Sequence, residues 1–588
     1  MKRLYFSFAG CLLALLTADL ARAASVDVWT ASSYVNVFRD FTKADDSTAG
    51  YDLVVARNEG ESFQILLRSA VPFTIESVAF TDLVSGNKGR IDKENLSYNY
   101  VEYVYMGENS ANQHVENLVR SGAGYYPDPL SNEARCRVEA DATQPVWVTL
   151  NVPKKTRPGL YKGTVTVSTT EGEYRVPVTA EVNDVLIPDA VDDHFDLMVH
   201  QQIAGTWWYD TTRNSHPRDV IFQIYGHERW TPAWWALVGD MADWMKRTRM
   251  NVLFVNTQQL LVDGPGTKLE NGRFTFDWSK FDEYIEFFLD RKVVNKFEGL
   301  HLGSVIGAVG ETFYSYILTN NEQGEICTTN VEAMSEHCRL FHDQFLGELY
   351  AHLKKKGWLS MWMQHIGDEA VSDLQHRQYG YYMEHMKSQA PEMQCGDPTF
   401  SLKSAQNAVA KGATVVTPIE DLYQGYKPDF DAMQQNGITV YCYNCCGPHY
   451  HWLNRMLDLP VWQQRLLGWL SYKWGISGWL HWGWNFWVDW FQDSFQTIDN
   501  EAYKGDHYSV YPDTENNRIK GSIRTEALRD MDEEFELLYL LGKHNPELAR
   551  RLVDKVIVNA SDNFVRDPAV MNDVRTELIR ACAVYSQF

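Results

Sequence analysis

Asp368 and Glu369 stand side by side at the end of Met361-Trp-Met-Gln-His-Ile-Gly-Asp-Glu369. The run ahead of them is short, apolar and stopped by glycine, the pattern of a buried strand. Two neighbouring carboxyl groups can divide labour, one kept neutral as a proton donor and the other charged. That pairing suits cleavage of a glycosidic bond. In the usual form one carboxyl protonates the leaving oxygen, and a second, about 5 to 9 Å away, acts as nucleophile or base. Adjacent acids on one loop are poorly placed for opposite faces of a sugar. They fit a substrate-assisted variant, in which the sugar's own 2-acetamido oxygen attacks the anomeric carbon and gives an oxazoline. The protein then supplies an acid, plus a carboxylate that orients the acetamide N–H. Neighbours on a regular strand point to opposite faces, so both acids reach one pocket only if the strand breaks at Gly367. The plain alternative is a solvated turn or a helix start, where acids are also favoured.

Gly478-Trp-Leu-His-Trp-Gly-Trp-Asn-Phe-Trp487 holds four tryptophans, a histidine and an asparagine in ten residues. Alternation along a strand would make Trp482, Trp484 and Trp487 the floor or wall of a sugar site, with Asn485 and His481 bonding hydroxyls. The other reading is a bulky core layer around a satisfied histidine. Tyr441-Cys-Tyr-Asn-Cys-Cys-Gly-Pro-His-Tyr-His451 invites a zinc site, but the second spaced pair of a structural zinc motif is missing, so no metal is expected. Tyr443 is a candidate substrate contact. His301, in Glu298-Gly-Leu-His301, either binds a hydroxyl or is structural, and His365 would support the acid pair. If the sugar lacks an acetamide, Glu298 or Asp489 is the candidate second acid. No phosphate-binding loop, dinucleotide glycine fingerprint, His-Glu-x-x-His pair or nucleophile-elbow serine is found, and no cofactor is expected.

The elements that must carry these residues fall into two patterns. Between residues 24 and 187, alternating runs at Tyr51–Ala56, Ser62–Arg68, Tyr98–Met106, Pro145–Val152, Tyr161–Ser168 and Tyr174–Val182 follow one another with turn residues between, the rhythm of an antiparallel β-sandwich. Ile187-Pro188-Asp189 reads as a linker. From 190 to 588 strands alternate with helices. The eight strand candidates are Phe195–His200, Asn251–Val255, Phe297–Leu302, Ser360–Ile366, Met393–Asp397, Ala413–Pro418, Ile438–Tyr443 and Gly478–Trp484. Glu332–Lys355, Val461–Trp474 and Ile523–Gly542 read as helices, as does the stripe Trp234, Leu237, Val238, Met241, Met245. Eight strand–helix repeats predict a (β/α)8 TIM-type barrel, with C-terminal helices and long loop insertions. Asp368 and Glu369 would close its fourth strand, at the end where barrel enzymes keep their chemistry.

With 588 residues, more than one core is expected. Aromatics make up 13% of the chain, a surplus that leans towards a carbohydrate site because rings stack on the apolar faces of sugars. The net charge of −23 disfavours nucleic acid and anionic membranes as partners, and a glycan or glycoconjugate is the expected one. Residues 1–23 have the form of a signal peptide: Lys2 and Arg3, an apolar stretch through Leu12 to Leu16, then Ala21-Arg22-Ala23. Phe8-Ala-Gly-Cys11 sits too early for a lipid-attachment box. The mature chain is expected to be exported, periplasmic or extracellular, with no membrane-spanning segment. Cys136, Cys327, Cys338, Cys395, Cys442, Cys445, Cys446 and Cys582 do not space like a disulfide scaffold, though Cys327 with Cys338, or Cys445 with Cys446, could pair.

Four stretches carry a family resemblance. Ala56-Arg-Asn-Glu-Gly-Glu-Ser-Phe-Gln64, His365-Ile-Gly-Asp-Glu369, Tyr443-Asn-Cys-Cys-Gly-Pro448 with Asn454-Arg455, and the C-terminal run from Arg465-Leu-Leu-Gly-Trp469 through His481-Trp-Gly-Trp-Asn485, Gly505-Asp-His-Tyr508 and Ser522-Ile-Arg-Thr-Glu-Ala-Leu-Arg529 resemble glycoside hydrolase family 123 and the related domain of unknown function 4091. The resemblance implies a β-sandwich followed by a (β/α)8 barrel, and exo-acting β-N-acetylgalactosaminidase activity by substrate assistance. Asp368 would then orient the acetamide and stabilise the oxazoline, and Glu369 would be general acid, then general base. One departure is Ala370, which follows the acids where many relatives carry proline. A glycosidase acting on a non-acetamido sugar, and a non-catalytic glycan-binding protein, are the alternatives.

Overall fold

The computed structural model describes residues 25–585 apart from 46, 87, 206–218, 307–309, 488–494 and 499–501. The leader at 1–23, with Cys11, and the candidate acid Asp489 lie outside the described residues. The protein is mixed α/β, with a β-rich N-terminal part and a C-terminal half of parallel strands and helices.

The N-terminal part holds a five-stranded and a seven-stranded sheet. Alternate residues of Gly60–Arg68 and Thr143–Asn151 in the first (Phe63, Ile65, Leu67; Val146, Val148, Leu150) share a core with Val165, Val167, Val176, Val178 and Ala180 of the second. Period-two apolar patterning builds this core, as the side-chain alternation of a strand requires. One pairing departs from the antiparallel expectation: Tyr51–Arg57 runs parallel to Gly172–Leu186, with Val178 opposite Tyr51. The chain leaves the five-stranded sheet after Asp27–Ser32 and enters the other at Tyr51. It therefore docks on the edge of a strand far away in sequence, and no hairpin fixes its direction. The segment at 187–189 is bound at each residue: Ile187 N–H donates to the Arg57 carbonyl at 3.0 Å, Arg249 donates to the Pro188 carbonyl at 3.1 Å, and Asp189 accepts from Asn58 at 3.1 Å.

In the C-terminal half all pairings among the eight expected strands are parallel. Six strand segments form one sheet, in the order Val252–Val255, Lys296–Gly299, Trp362–His365, Gln394–Thr399, Val415–Pro418 and Thr439–Val440. Cys442–Tyr443 continues the last of these beyond Tyr441 and pairs with Gly478–His481, which pairs with Asp196–Val199. Between Asp196–Val199 and Val252–Val255 side chains replace the backbone ladder. Asn251 Oδ1 accepts from Leu197 N–H at 2.9 Å, and Gln201 bridges to Val252 and Phe254. The hairpin Tyr314–Asn320 with Ile326–Glu332 is inserted before the helix Glu336–Lys356. That helix starts at its cap, Ser335, and not at Glu332, because Glu332 is still paired to Tyr314.

The helix Ile523–His544 is buried along most of its length between the two parts. Its partners explain the Glu59-Gly-Glu61 motif. Arg575 contacts Glu59 and Glu61, each at 2.6 Å, Arg465 reaches Glu61 and Glu534, and Glu533 accepts from Gly60 N–H at 3.1 Å. Carboxylates buried this deeply persist only when paired. Among the described residues no helix is long and apolar enough to cross a membrane. The described cysteines are thiols: Cys338 packs against Ser315 and His342, and Cys445 and Cys446 stand with Sγ atoms 3.7 Å apart.

Candidate active site

The strand Trp362–His365 stops just before the acids, and the reason is packing. A Cβ on Gly367 would lie 2.9 Å from the rings of both Phe313 and Tyr379. Glycine lets the chain pass this gap and turn. Gly303 and Gly367 form an isolated bridge, and Asp368 N–H donates to the Gly303 carbonyl at 3.0 Å. Glu369 follows with φ of 48°, in the left-handed region that side chains seldom adopt. The turn is clamped from downstream. Ser372 and Gln375 form a capping box at the start of Asp373–Gln389, and Gln375 Oε1 also accepts from Val371 N–H at 3.0 Å.

Both carboxyl groups thus leave the strand on one side, half-buried. Asp368 Oδ1 lies 3.5 Å from His301 Nε2, and Asp368 Oδ2 accepts from Ser304 at 3.4 Å. Tyr443, buried on the seventh strand, donates its hydroxyl to Glu369 Oε1 at 2.6 Å and leaves Oε2 to carry a proton. Phe400, an exposed ring at the end of the fifth strand, stands 6.1 Å from the Tyr443 ring. Burial pushes the Glu369 carboxyl well above its ordinary range, and the adjacent Asp368 charge pushes it further; Tyr443 opposes them. Burial also raises Asp368, against the charges of His365 and His200 and the Ser304 hydrogen bond. One proton shared by the pair therefore sits on Glu369.

Beneath the acids is a buried charged layer. His365 lies 3.5 Å from Glu298 and 3.5 Å from Asp397, its ring stacked on His301 at 4.3 Å, and His200 lies 3.1 Å from Glu298. Burial opposes a charge on His365, but the two carboxylates prevail and raise it to about 10. Burial lowers His301 well below its usual value and the His365 charge adds to this, so the ring facing Asp368 is neutral. Glu298, burial notwithstanding, is held low by His200 and His365 and is almost wholly enclosed. That makes it a poor candidate for the second acid of a two-carboxylate mechanism. Among the described residues, His200 with Glu298 and His365, and His301 with His365 and Asp397, are the trios whose donors converge closely enough for a cation.

The tryptophan-rich stretch behaves differently from its expected role. The eighth strand ends at His481, and the alternation ends with it. Trp484 is fully buried, Trp487 donates its indole N–H to the Val510 carbonyl at 2.9 Å, and Asn485 spends its amide on the Gln202 backbone at 2.7 and 3.0 Å. These three are core residues, not the wall or hydroxyl ligands of a sugar site. His481 is also committed: Nε2 donates to Asp506 at 2.9 Å, and Nδ1 accepts from Gly483 N–H at 2.8 Å and contacts Arg455. Trp482 alone of the set keeps partial exposure, its indole N–H on Asp506 at 3.1 Å. Ser304, Asp397, His200, Phe400 and Asp506 were not singled out from the sequence. His200, Asp397 and Phe400 sit at or just past the ends of expected strands, a signal that strand position alone could have supplied.

These features have counterparts in known proteins. Residues 216–541 match the model of the glycoside hydrolase 123 catalytic domain, and residues 39–169 match the glycoside hydrolase 123 N-terminal domain. The chain belongs to glycoside hydrolase family 123. It is a glycoside hydrolase, and a glycan is its substrate. A family 123 glycoside hydrolase from Clostridium perfringens, described for glycolipid glycan hydrolysis, shares the fold with a TM-score of 0.72 at 14% identity, over 96% of this chain and 98% of that one. A β-galacturonidase from Eisenbergiella tayi aligns over 87% of this family 123 chain and 72% of its own, with a TM-score of 0.29 and 10% identity. A β-D-glucuronidase from Dictyoglomus thermophilum aligns over 87% and 76%, with a TM-score of 0.29 and 9% identity. No curated protein matches the sequence.

Proposed function

We propose that the protein removes terminal β-linked N-acetylhexosamine, galacto configuration favoured, by substrate-assisted retaining catalysis. Glu369, protonated, gives its proton to the leaving oxygen. Asp368, charged and steadied by Ser304 and His301, receives the acetamide N–H and stabilises the oxazoline. Glu369, now ionised and held by Tyr443, then takes a proton from the attacking water. The observation that carries this reading is the convergence of two adjacent carboxyl groups in one half-buried turn, one hydrogen-bonded by Tyr443 and the other beside Ser304 and a neutral His301. A third carboxylate placed opposite them is not supported at Glu298.

In the same reading the eight parallel strands close as a (β/α)8 barrel, through side chains at the gap bridged by Asn251 and Gln201. A β-sandwich spans 24–187 and the catalytic domain 190–588. Residues 1–23 act as an export signal, placing the enzyme in the periplasm or outside the cell.

A panel of aryl β-glycosides differing only at carbon 2 and carbon 4 tests the assignment, together with a thiazoline inhibitor that mimics the oxazoline. Turnover confined to 2-acetamido sugars with tight thiazoline inhibition is expected. Equal turnover of 2-hydroxy sugars without thiazoline inhibition would replace substrate assistance with another mechanism.

A further inference from the structure

The chain that follows Tyr443 carries a feature the catalytic pair does not use. Beyond Cys445 and Cys446 it runs through Gly447-Pro448 into His449, Tyr450, His451 and Trp452. The rings of His449, Tyr450 and His451, with Tyr503 and His114, form a continuous strip. His449 stacks on Tyr503 with centroids 5.1 Å apart, Tyr450 stands edge-on to His449 at 6.2 Å and to His114 at 5.6 Å, and His114 lies flat against His451 at 3.9 Å. The strip's first pair, His449 and Tyr503, follows Cys446, whose thiol lies within electrostatic reach of both Tyr503 and Glu369, and the strip opens into a cleft of about 430 Å³ lined by His114, Tyr450, His451, Trp452, Ser561 and Asp562.

Tyr450 is the unusual member. Its side chain is 54% exposed, yet its backbone holds φ at 67°, a left-handed conformation unfavourable for an aromatic residue. The N-terminal part enforces it. Tyr450 N–H donates to the Asn112 carbonyl at 3.0 Å, and Asn117 donates to the Tyr450 carbonyl at 2.5 Å. Two distant parts of the chain together hold a ring out in solvent, where it adds little to core packing. Backbone strain sustained in this way points to a role in binding.

Position says what it would bind. A general acid stands beside the leaving oxygen, so the departing part of the substrate lies on the Glu369 side of the cleaved bond. We propose, resting on the reading of Asp368 and Glu369 above, that His114, Tyr450 and Trp452 form a subsite for the leaving-group saccharide. The preferred substrate is then an extended oligosaccharide, not a simple glycoside. The flat C–H faces of pyranose rings meet Tyr450 and Trp452, and hydroxyls meet His114 and Asp562. Since His114 comes from the N-terminal part, that part takes a share in substrate choice.

The test compares kcat/KM on an aryl 2-acetamido-2-deoxy-β-glycoside and on a trisaccharide ending in the same sugar, for wild type, Tyr450→Gly, Tyr450→Phe and His114→Ala. Glycine removes the ring and accepts the left-handed backbone, so the fold is not the variable. Tyr450→Gly is expected to lose about five- to tenfold on the trisaccharide and to stay within about twofold on the aryl glycoside, the scale of one lost ring contact. Tyr450→Phe keeps the ring and both activities. Equal losses on the two substrates, or no loss on the trisaccharide in either Tyr450→Gly or His114→Ala, overturn the subsite. A wild type that cleaves neither substrate overturns instead the reading of the acid pair, and the subsite falls with it.

Discussion

Replacing Tyr443 with phenylalanine isolates one hydrogen bond at the proposed acid. The Tyr443 hydroxyl sits 2.6 Å from Glu369 Oε1, and the tyrosine ring is buried, so the change removes one oxygen and little packing. A hydrogen bond to an ionised partner is worth about 1.5 to 3 kcal/mol. About 1.4 kcal/mol corresponds to one pKa unit. The hydroxyl stabilises the carboxylate, so its loss favours the acid form. The alkaline limb of the kcat/KM profile, where Glu369 gives up its proton, should therefore move to higher pH by about one to two units. Burial and the Asp368 charge, which hold the proton on Glu369, are untouched by the change. The second half of the reaction should suffer most, because there the ionised Glu369 must act as base without its donor. With a good aryl leaving group, where that step limits turnover, kcat should fall. The assay is kcat and kcat/KM on an aryl N-acetylhexosaminide from about pH 4 to 10, with thermal unfolding as control. An alkaline limb that stays in place, or moves to lower pH, in a normally folded variant would refute the role given to this pair.

Three further outcomes are expected. Glu369→Gln should lose most activity on poor leaving groups and retain more on activated aryl glycosides; equal loss on both would remove it as the acid. Gly367→Ala should lose about 1 to 3 kcal/mol of stability by driving a methyl into the Phe313 and Tyr379 rings, and should lower kcat by displacing Asp368. Wild-type denaturant unfolding and turnover would show that the turn does not depend on that gap. The stability contributed by Asp530 and Asp532 should fall as pH rises from about 4 to 7. Burial, with Glu61 and Glu534 adding, raises Asp530 to about 7, and burial with Glu536 adding raises Asp532 to about 6, against the pull of Arg465, Arg529 and Arg249. The folded state thus holds protons that the unfolded chain has released, a stabilisation lost as pH climbs through those values. Asp530→Asn should remove its share of that slope from the melting-temperature profile, and a variant profile parallel to that of the wild type between about pH 5 and 7 would contradict the assignment.

Much of this architecture was legible in the chain alone. Each of the eight expected strand positions holds a parallel strand or strand pair, because short apolar runs bounded by glycine and polar turns carry their own burial signal. The break at Gly367 was also readable, since two neighbouring acids can share a pocket only where a strand has ended. Alternation misled at Trp482–Trp487. There the strand stops at His481, and Gly483 packs against the Asp506 and His507 carbonyls, so the tryptophans turn into the core.

Residue type and local period decided which elements form, in what order, and that Asp368 and Glu369 stand where a strand opens. Tertiary structure decided their chemistry. Tyr443, His301 and Ser304 reach the acids from other strand ends, 74, 67 and 64 residues away in sequence respectively. The Glu59-Gly-Glu61 pair becomes an interface anchor only because Arg575, 516 residues beyond Glu59, meets it. Proton affinity depends on burial and on which charges lie within a few ångströms, and those distances are set by folding and not by sequence spacing.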